Sequence, residues 1–153
     1  MNIMFVCTGN TCRSAMAEAL AKKQITEKKL NINVCSSGTF AITGEHASYN
    51  SIAVMKEYDV DLLFHKSTSI NDVDLNSIDL ILCATENHKR NLLSTHSELK
   101  DKIFTMKEYA NIDNDGKDMD IKDPWGYDLN TYRMCAAEIS LCVDKIIERL
   151  SAM

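Results

Sequence analysis

The stretch NIMFVCTGNTCRS, residues 2–14, joins a short apolar run to a polar loop and then to a helix-forming segment. Asn2 to Val6 is apolar, brief and bounded by a glycine-containing turn, the pattern of a buried strand. Arg13 to Lys29 (RSAMAEALAKKQITEKK) is rich in Ala, Glu and Lys, which predicts a helix with Met16, Leu20 and the alanines facing inward. Ile32 to Ser36 reads as a second strand, closed by Ser37-Gly38. A strand, helix and strand in that order require a right-handed crossover and a parallel sheet.

The remainder continues the alternation. Ala47 to Tyr58 reads as helix, with Ile52, Met55 and Tyr58 on one side, and Ser69 to Leu75 as a short helix. Asp79 to Ala84 (DLILCA) is the clearest buried strand, followed by a helix over Asn87 to Thr95 and a strand over Lys102 to Met106. From Thr131 to Leu150, apolar residues at 135, 139, 142, 143, 146, 147 and 150 mark a long amphipathic helix. The expectation is one α/β domain over residues 1–153, with helices on both faces of the sheet. A single proline and no low-complexity segment leave no place for a linker.

Composition narrows the function. With 153 residues, the chain is long enough for one substantial core. A net charge of −5 disfavours nucleic acid as a partner. No apolar run reaches the roughly 18 residues of a membrane span, and the first residues lack the basic region of a signal peptide. Six cysteines in a chain of this size point to reduced thiols in the cytoplasm rather than a disulfide framework.

In open parallel sheets, ligands bind beyond the carboxyl ends of the strands, where CTGNTCRS (residues 7–14) falls. Backbone N–H groups of Thr8 to Ser14 can converge on an anion at the helix N-terminus. Gly9 is expected to supply close backbone approach, and Asn10 a left-handed conformation. Arg13 offers a planar fork for two phosphate oxygens. Cys7, at a helix N-terminus and beside a cation, suits a thiolate nucleophile that attacks phosphorus, with Ser14 donating to the sulfur. The loop is no Walker motif, because G-x-x-x-x-G-K-[ST] is absent.

Phosphoryl transfer also needs a proton for the leaving group. Asp123 is the candidate, set in a turn by Pro124 and Gly126 with Trp125 beside it. The preceding acidic stretch half-matches a calcium loop at Asn111, Asp113, Asp115 and Gly116, but Lys122 stands where a bidentate glutamate belongs. Asp113 to Asp120 therefore reads as a solvated loop. His46, His88 and His96 form no metal pattern and suit surface or capping roles.

CTGNTCRS near one terminus and DPWG near the other, with S-x-G-T at residues 36–39, resemble the low-molecular-weight protein tyrosine phosphatase family over nearly the whole chain. That resemblance implies a three-layer sandwich around a four-stranded parallel sheet, a phosphate-binding loop after strand 1, and neither cofactor nor metal. It implies Cys7 as nucleophile, Arg13 as phosphate clamp, and Asp123 as acid and then base. It also implies Ser36 and His65 as supports of Asn10, and Cys12 as a redox partner of Cys7. Phosphorylated proteins would be the substrates of a monomeric enzyme.

Thr11, where the family usually has a larger aliphatic residue, and TMKEY (residues 105–109) resemble the branch acting on protein phosphoarginine. Trp125, Tyr127 and the absence of a second glycine after Gly126 pull toward phosphotyrosine, so phosphoarginine is the expected substrate and phosphotyrosine the alternative, with Thr11, Trp125 and Tyr127 as pocket walls. Ala15 departs from the family's usual proline. Arsenate reductase is a weaker alternative, because Cys83 has Arg90 where a relay cysteine would stand, and Cys135 and Cys142 share a buried helix face. Zinc binding by Cys7 and Cys12 lacks a second ligand pair. A non-catalytic phospho-ligand binder or redox sensor completes the alternatives.

Overall fold

A computed structural model describes residues 1–112 and 118–153. The expected calcium half-match and most of the acidic loop fall on residues 113–117, outside the described residues. Four strands, β1 (Asn2–Cys7), β2 (Asn33–Gly38), β3 (Leu80–Cys83) and β4 (Ile103–Thr105), form one parallel sheet in the order β2-β1-β3-β4. The chain leaves β1 toward one edge and later returns to its other side. The loop after β1 thus lies at the topological switch point, where adjacent crossovers diverge and leave a crevice.

Among the described residues five α-helices flank the sheet: α1 (Arg13–Glu27), α2 (Tyr49–Glu57), α3 (Glu86–Thr95), α4 (Met106–Tyr109) and α5 (Leu129–Ser151). Alternate residues of β1 serve two cores, as the two-residue period of a strand requires. Ile3 and Phe5 pack with Met16 and Leu20 of α1 and Ile139, Val143 and Ile146 of α5. Met4 and Val6 pack with Ile81, Leu92 and Ile103 on the opposite face. Each apolar side chain fully buried this way stabilises the fold by about 1.5–3 kcal/mol.

Cys135 and Cys142 lie in the α5 seam, as the helical spacing predicts, and burial raises their thiol pKa values to about 12 and about 11. Neither is suited to pass a disulfide along.

The structure corrects several boundaries. The segment expected as a helix over Ser69 to Leu75 is two separate 3₁₀ turns, Ile70–Asp72 and Leu75–Ser77, capped by Ser69 and Asp74. The fourth strand is only Ile103–Thr105, because Thr105 caps α4 in a reciprocal box with Glu108. That box lies inside the TMKEY segment. Among the described residues no helix is long and apolar enough to cross a membrane.

The close approach expected at Gly9 belongs instead to Gly38. A Cβ on Gly9 would meet only Thr11 Oγ1, at 3.7 Å, whereas one on Gly38 would lie 2.3 Å from Thr8 O and 3.0 Å from Asn10 N. Glycine here lets the end of β2 pass against the loop after β1, where Thr39 N–H donates to Cys7 O and Phe40 N–H to Thr8 O. Gly38→Ala should therefore cost at least about 2 kcal/mol, read as a lower urea midpoint. Gly9→Ala should cost well under half of that.

His88 completes a capping box at the start of α3 and is buried. Burial, then the nearby Arg13 charge, lowers its pKa to about 4, against weaker opposing effects of Asp120 and Asp123. The unfolded imidazole takes up its proton near 6.5, so between these values the unfolded chain binds more protons. This contribution is complete above about pH 6.5 and is lost as pH falls to about 4. It should amount to about 2–3 kcal/mol in denaturant titrations at stepped pH, and His88→Gln should flatten that limb.

Candidate active site

Four of the five α-helices begin with a side-chain cap: Ser48, Thr85, Thr105 and Asp128 accept from the first turns of α2, α3, α4 and α5. At α1 the capping position is Cys12, which makes no side-chain cap hydrogen bond, and the first turn holds no acidic residue. The N-terminus of α1 thus keeps its donors for an external acceptor. It opens on a cavity of about 270 Å³ lined by Cys7, Thr8, Gly9, Thr11, Cys12, Arg13, Asp123 and Trp125. Phe40, Ala41, Ile42 and Glu45 complete the wall.

Asn10 shapes the loop from beneath. It is fully buried with φ at 57°, the left-handed conformation expected of it. Thr68 N–H donates to Asn10 Oδ1 at 2.8 Å, which fixes the amide orientation. Asn10 Nδ2 then donates to Ser14 Oγ and to Ser36 Oγ, each at 2.8 Å. His65 Nε2 donates to the Asn10 carbonyl at 2.7 Å. Ser36 and His65 thus both contact Asn10.

Ser14 lies 2.9 Å from Cys7 Sγ. Ser14 Oγ already accepts from Asn10, and of the two acceptors in reach of its own hydrogen the sulfur, at 2.9 Å, is nearer than Ser37 O, at 3.5 Å. The Ser14 backbone N–H also points to Sγ, at 3.5 Å. Ser14 thus approaches, through its hydroxyl and its backbone N–H, a sulfur whose residue is only 2% exposed.

Arg13, 4% exposed, reaches across the cavity floor. One guanidinium nitrogen donates to Ile121 O at 2.9 Å, and the other lies 3.7 Å from Asp123 Oδ2. The Ile121 contact holds the fork in place and leaves donors free. Asp123 Oδ1 accepts Trp125 N–H at 3.1 Å, and Tyr127 N–H closes the following turn on Pro124 O, with Gly126 at φ 86°. The Asp-Pro-x-Gly turn forms as its residue types require.

Not every expected wall residue converges. Thr11 and Trp125 line the cavity, but Tyr127 does not; it lies beyond the turn with its ring largely in solvent. Asn10 and Ser14 are beneath the loop rather than in its wall. Cys12 lines the cavity with Cys7, and its sulfur contacts Ser48 Oγ and Tyr132 Oη, both at 3.3 Å. All six cysteines are unpaired.

Other participants carry no motif. Glu18 accepts from Ser36 Oγ at 2.5 Å and extends the network behind Asn10. Its spacing of four residues from Ser14 on α1 was the available signal. Phe40, Ile42 and Glu45 arrive from the chain after β2. Ser67 holds that segment by accepting Glu45 N–H and donating to Ile42 O. Among the described residues, no group of three or more His, Cys, Asp or Glu side chains is placed to hold a metal ion.

Comparison with known proteins extends this picture to the whole chain. Residues 2–153 match the family model described as low molecular weight phosphotyrosine protein phosphatase. A protein-arginine-phosphatase of Bacillus subtilis (strain 168) is 36% identical, with 98% of this chain and 97% of that protein aligned. A low molecular weight protein tyrosine phosphatase from T. tengcongensis is 40% identical, with a TM-score of 0.89 over 97% of this chain and 99% of that one. The YwlE arginine phosphatase, solved as a C7S mutant with a phosphorylated active-site serine, is 35% identical, with a TM-score of 0.91 over 99% and 96% of the two chains. With residues 2–153 matched from end to end, the chain belongs to the low molecular weight phosphotyrosine protein phosphatase family.

Proposed function

We propose that residues 1–153 form one protein phosphatase domain that hydrolyses phosphoarginine in proteins through a cysteinyl-phosphate. The supporting observation is the chemistry of the cavity wall. Two carboxylate residues, Asp123 and Glu45, and Thr11 line the cavity with Cys7, and among the described residues Arg13 is the only cation in the lining. Acceptors around the mouth match a guanidine, whose N–H groups donate, better than a phenol ring. Phe40 and Trp125 favour the second reading, phosphotyrosine, because their rings offer flat apolar walls.

In this mechanism the phosphoryl oxygens lie against the N–H groups of the loop and the Arg13 fork. The Cys7 thiolate attacks phosphorus, an S–P bond forms, and the P–N bond breaks. Asp123, initially protonated, gives its proton to the departing guanidine nitrogen. It then removes a proton from water, whose oxygen attacks phosphorus; the S–P bond breaks and inorganic phosphate leaves. Ser14 stabilises the sulfur as nucleophile and as leaving group. Cys12 is the nearby thiol that could trap an oxidised Cys7 as a disulfide.

The reading takes the enzyme as a cytoplasmic monomer acting on phosphorylated proteins, an assignment supported by its unpaired thiols. It assigns no cofactor, metal or nucleic acid to the reaction.

Rates on matched phosphoarginine and phosphotyrosine peptides test this function. Wild type should show the larger kcat/KM on phosphoarginine, and Glu45→Gln and Thr11→Ile should each narrow the ratio. Cys7→Ser should abolish turnover on both, and Asp123→Asn should lower kcat about 10²–10³-fold. A wild-type preference for phosphotyrosine would transfer the assignment to the second reading.

A further inference from the structure

The tautomer of His88 determines what the side chain of Thr8 can do. Thr85 N–H lies 3.2 Å from His88 Nδ1, and a backbone N–H can only donate, so Nδ1 is the unprotonated nitrogen. Burial and the Arg13 charge keep the ring neutral, so its one hydrogen is on Nε2. Nε2 is 2.8 Å from Thr8 Oγ1 and donates to it. The Thr8 oxygen is therefore an acceptor toward His88, and its own hydrogen must point elsewhere. Thr8 lines the cavity above Cys7 and its side chain makes no other hydrogen bond among the described residues.

We propose that the Thr8 hydroxyl donates a hydrogen bond to the phosphoryl group in the cavity, and that His88 is the positioning residue that turns it there. This rests on the phosphatase reading above and adds a side-chain donor to the backbone donors of the loop. His88 couples two structural tasks: Nδ1 closes the cap of α3, and Nε2 orients the loop after β1. The α3 start and the phosphate loop are 80 residues apart in sequence, so only the sheet brings them together.

A double-mutant cycle on Thr8→Val and His88→Gln tests the pair, with kcat/KM and competitive inhibition by inorganic phosphate as readouts. Glutamine keeps an acceptor for the Thr85 cap. Thr8→Val should lower kcat/KM about ten-fold or more and weaken phosphate inhibition, as expected for a lost hydrogen bond to a charged group. Thr8→Ser should restore both. In the Thr8→Val background, His88→Gln should have no further effect on either readout, although it lowers the melting temperature. Wild-type kinetics in a folded Thr8→Val, or losses that simply multiply in the double variant, would overturn the proposal. Cys7→Ser in the same assay separates the two levels: if it turns over substrate like wild type, the phosphatase reading itself fails.

Discussion

The structure of the site depends on one residue held in a conformation that an L-amino acid resists. Asn10 lies in the left-handed region, and the bend it makes in the loop is stable because its polar atoms are satisfied. Thr68, Ser36, Ser14 and His65, from three separate parts of the chain, supply those bonds. Without them the polar atoms of the fully buried Asn10 would lack partners, so the network over-determines the loop. The same amide passes its influence to Cys7, because it occupies Ser14 as an acceptor and leaves the serine hydrogen for sulfur.

Electrostatics follow from this geometry. Helix α1 starts without the side-chain cap found on the other four α-helices, so its free donors serve the cavity rather than the helix. Arg13 is buried beside these donors with Ile121 O holding one arm. A buried cation has a large desolvation cost, and an anionic guest offsets it more completely than the 3.7 Å contact with the exposed Asp123. The uncapped helix start and the Arg13 fork make the floor the positive part of a cavity whose wall carries the Asp123 and Glu45 carboxylates.

The wall of the cavity is built differently from its floor. The floor comes from consecutive residues of one loop, whereas the wall draws on the aspartate turn and on the segment after β2. That separation explains a family in which one reaction is kept while the substrate changes. In the function we propose, floor residues act on the phosphoryl group, common to every substrate, and wall residues meet the side chain that carries it. Glu45, Ile42 and Phe40 belong to the second group, and their exposure leaves them free to vary without disturbing the core.

Sequence alone determined the alternation of strands and helices, the seam of α5, and the convergence of Cys7, Arg13 and Ser14. Each of these is local: a period of two or of 3.6 residues, or eight consecutive positions at a helix start, obeys rules of backbone geometry. Asp123 was legible for the same reason, because Asp-Pro-x-Gly specifies its own turn. Only the tertiary structure decided that Gly38, rather than Gly9, bears the close approach, that Tyr127 lies outside the cavity, and that Glu45 and His88 belong to the site's surroundings. Those facts depend on which strands are neighbours and on how loops from distant positions pack at the switch point. No periodicity within the chain encodes such contacts; they arise when the sheet brings its carboxyl ends together.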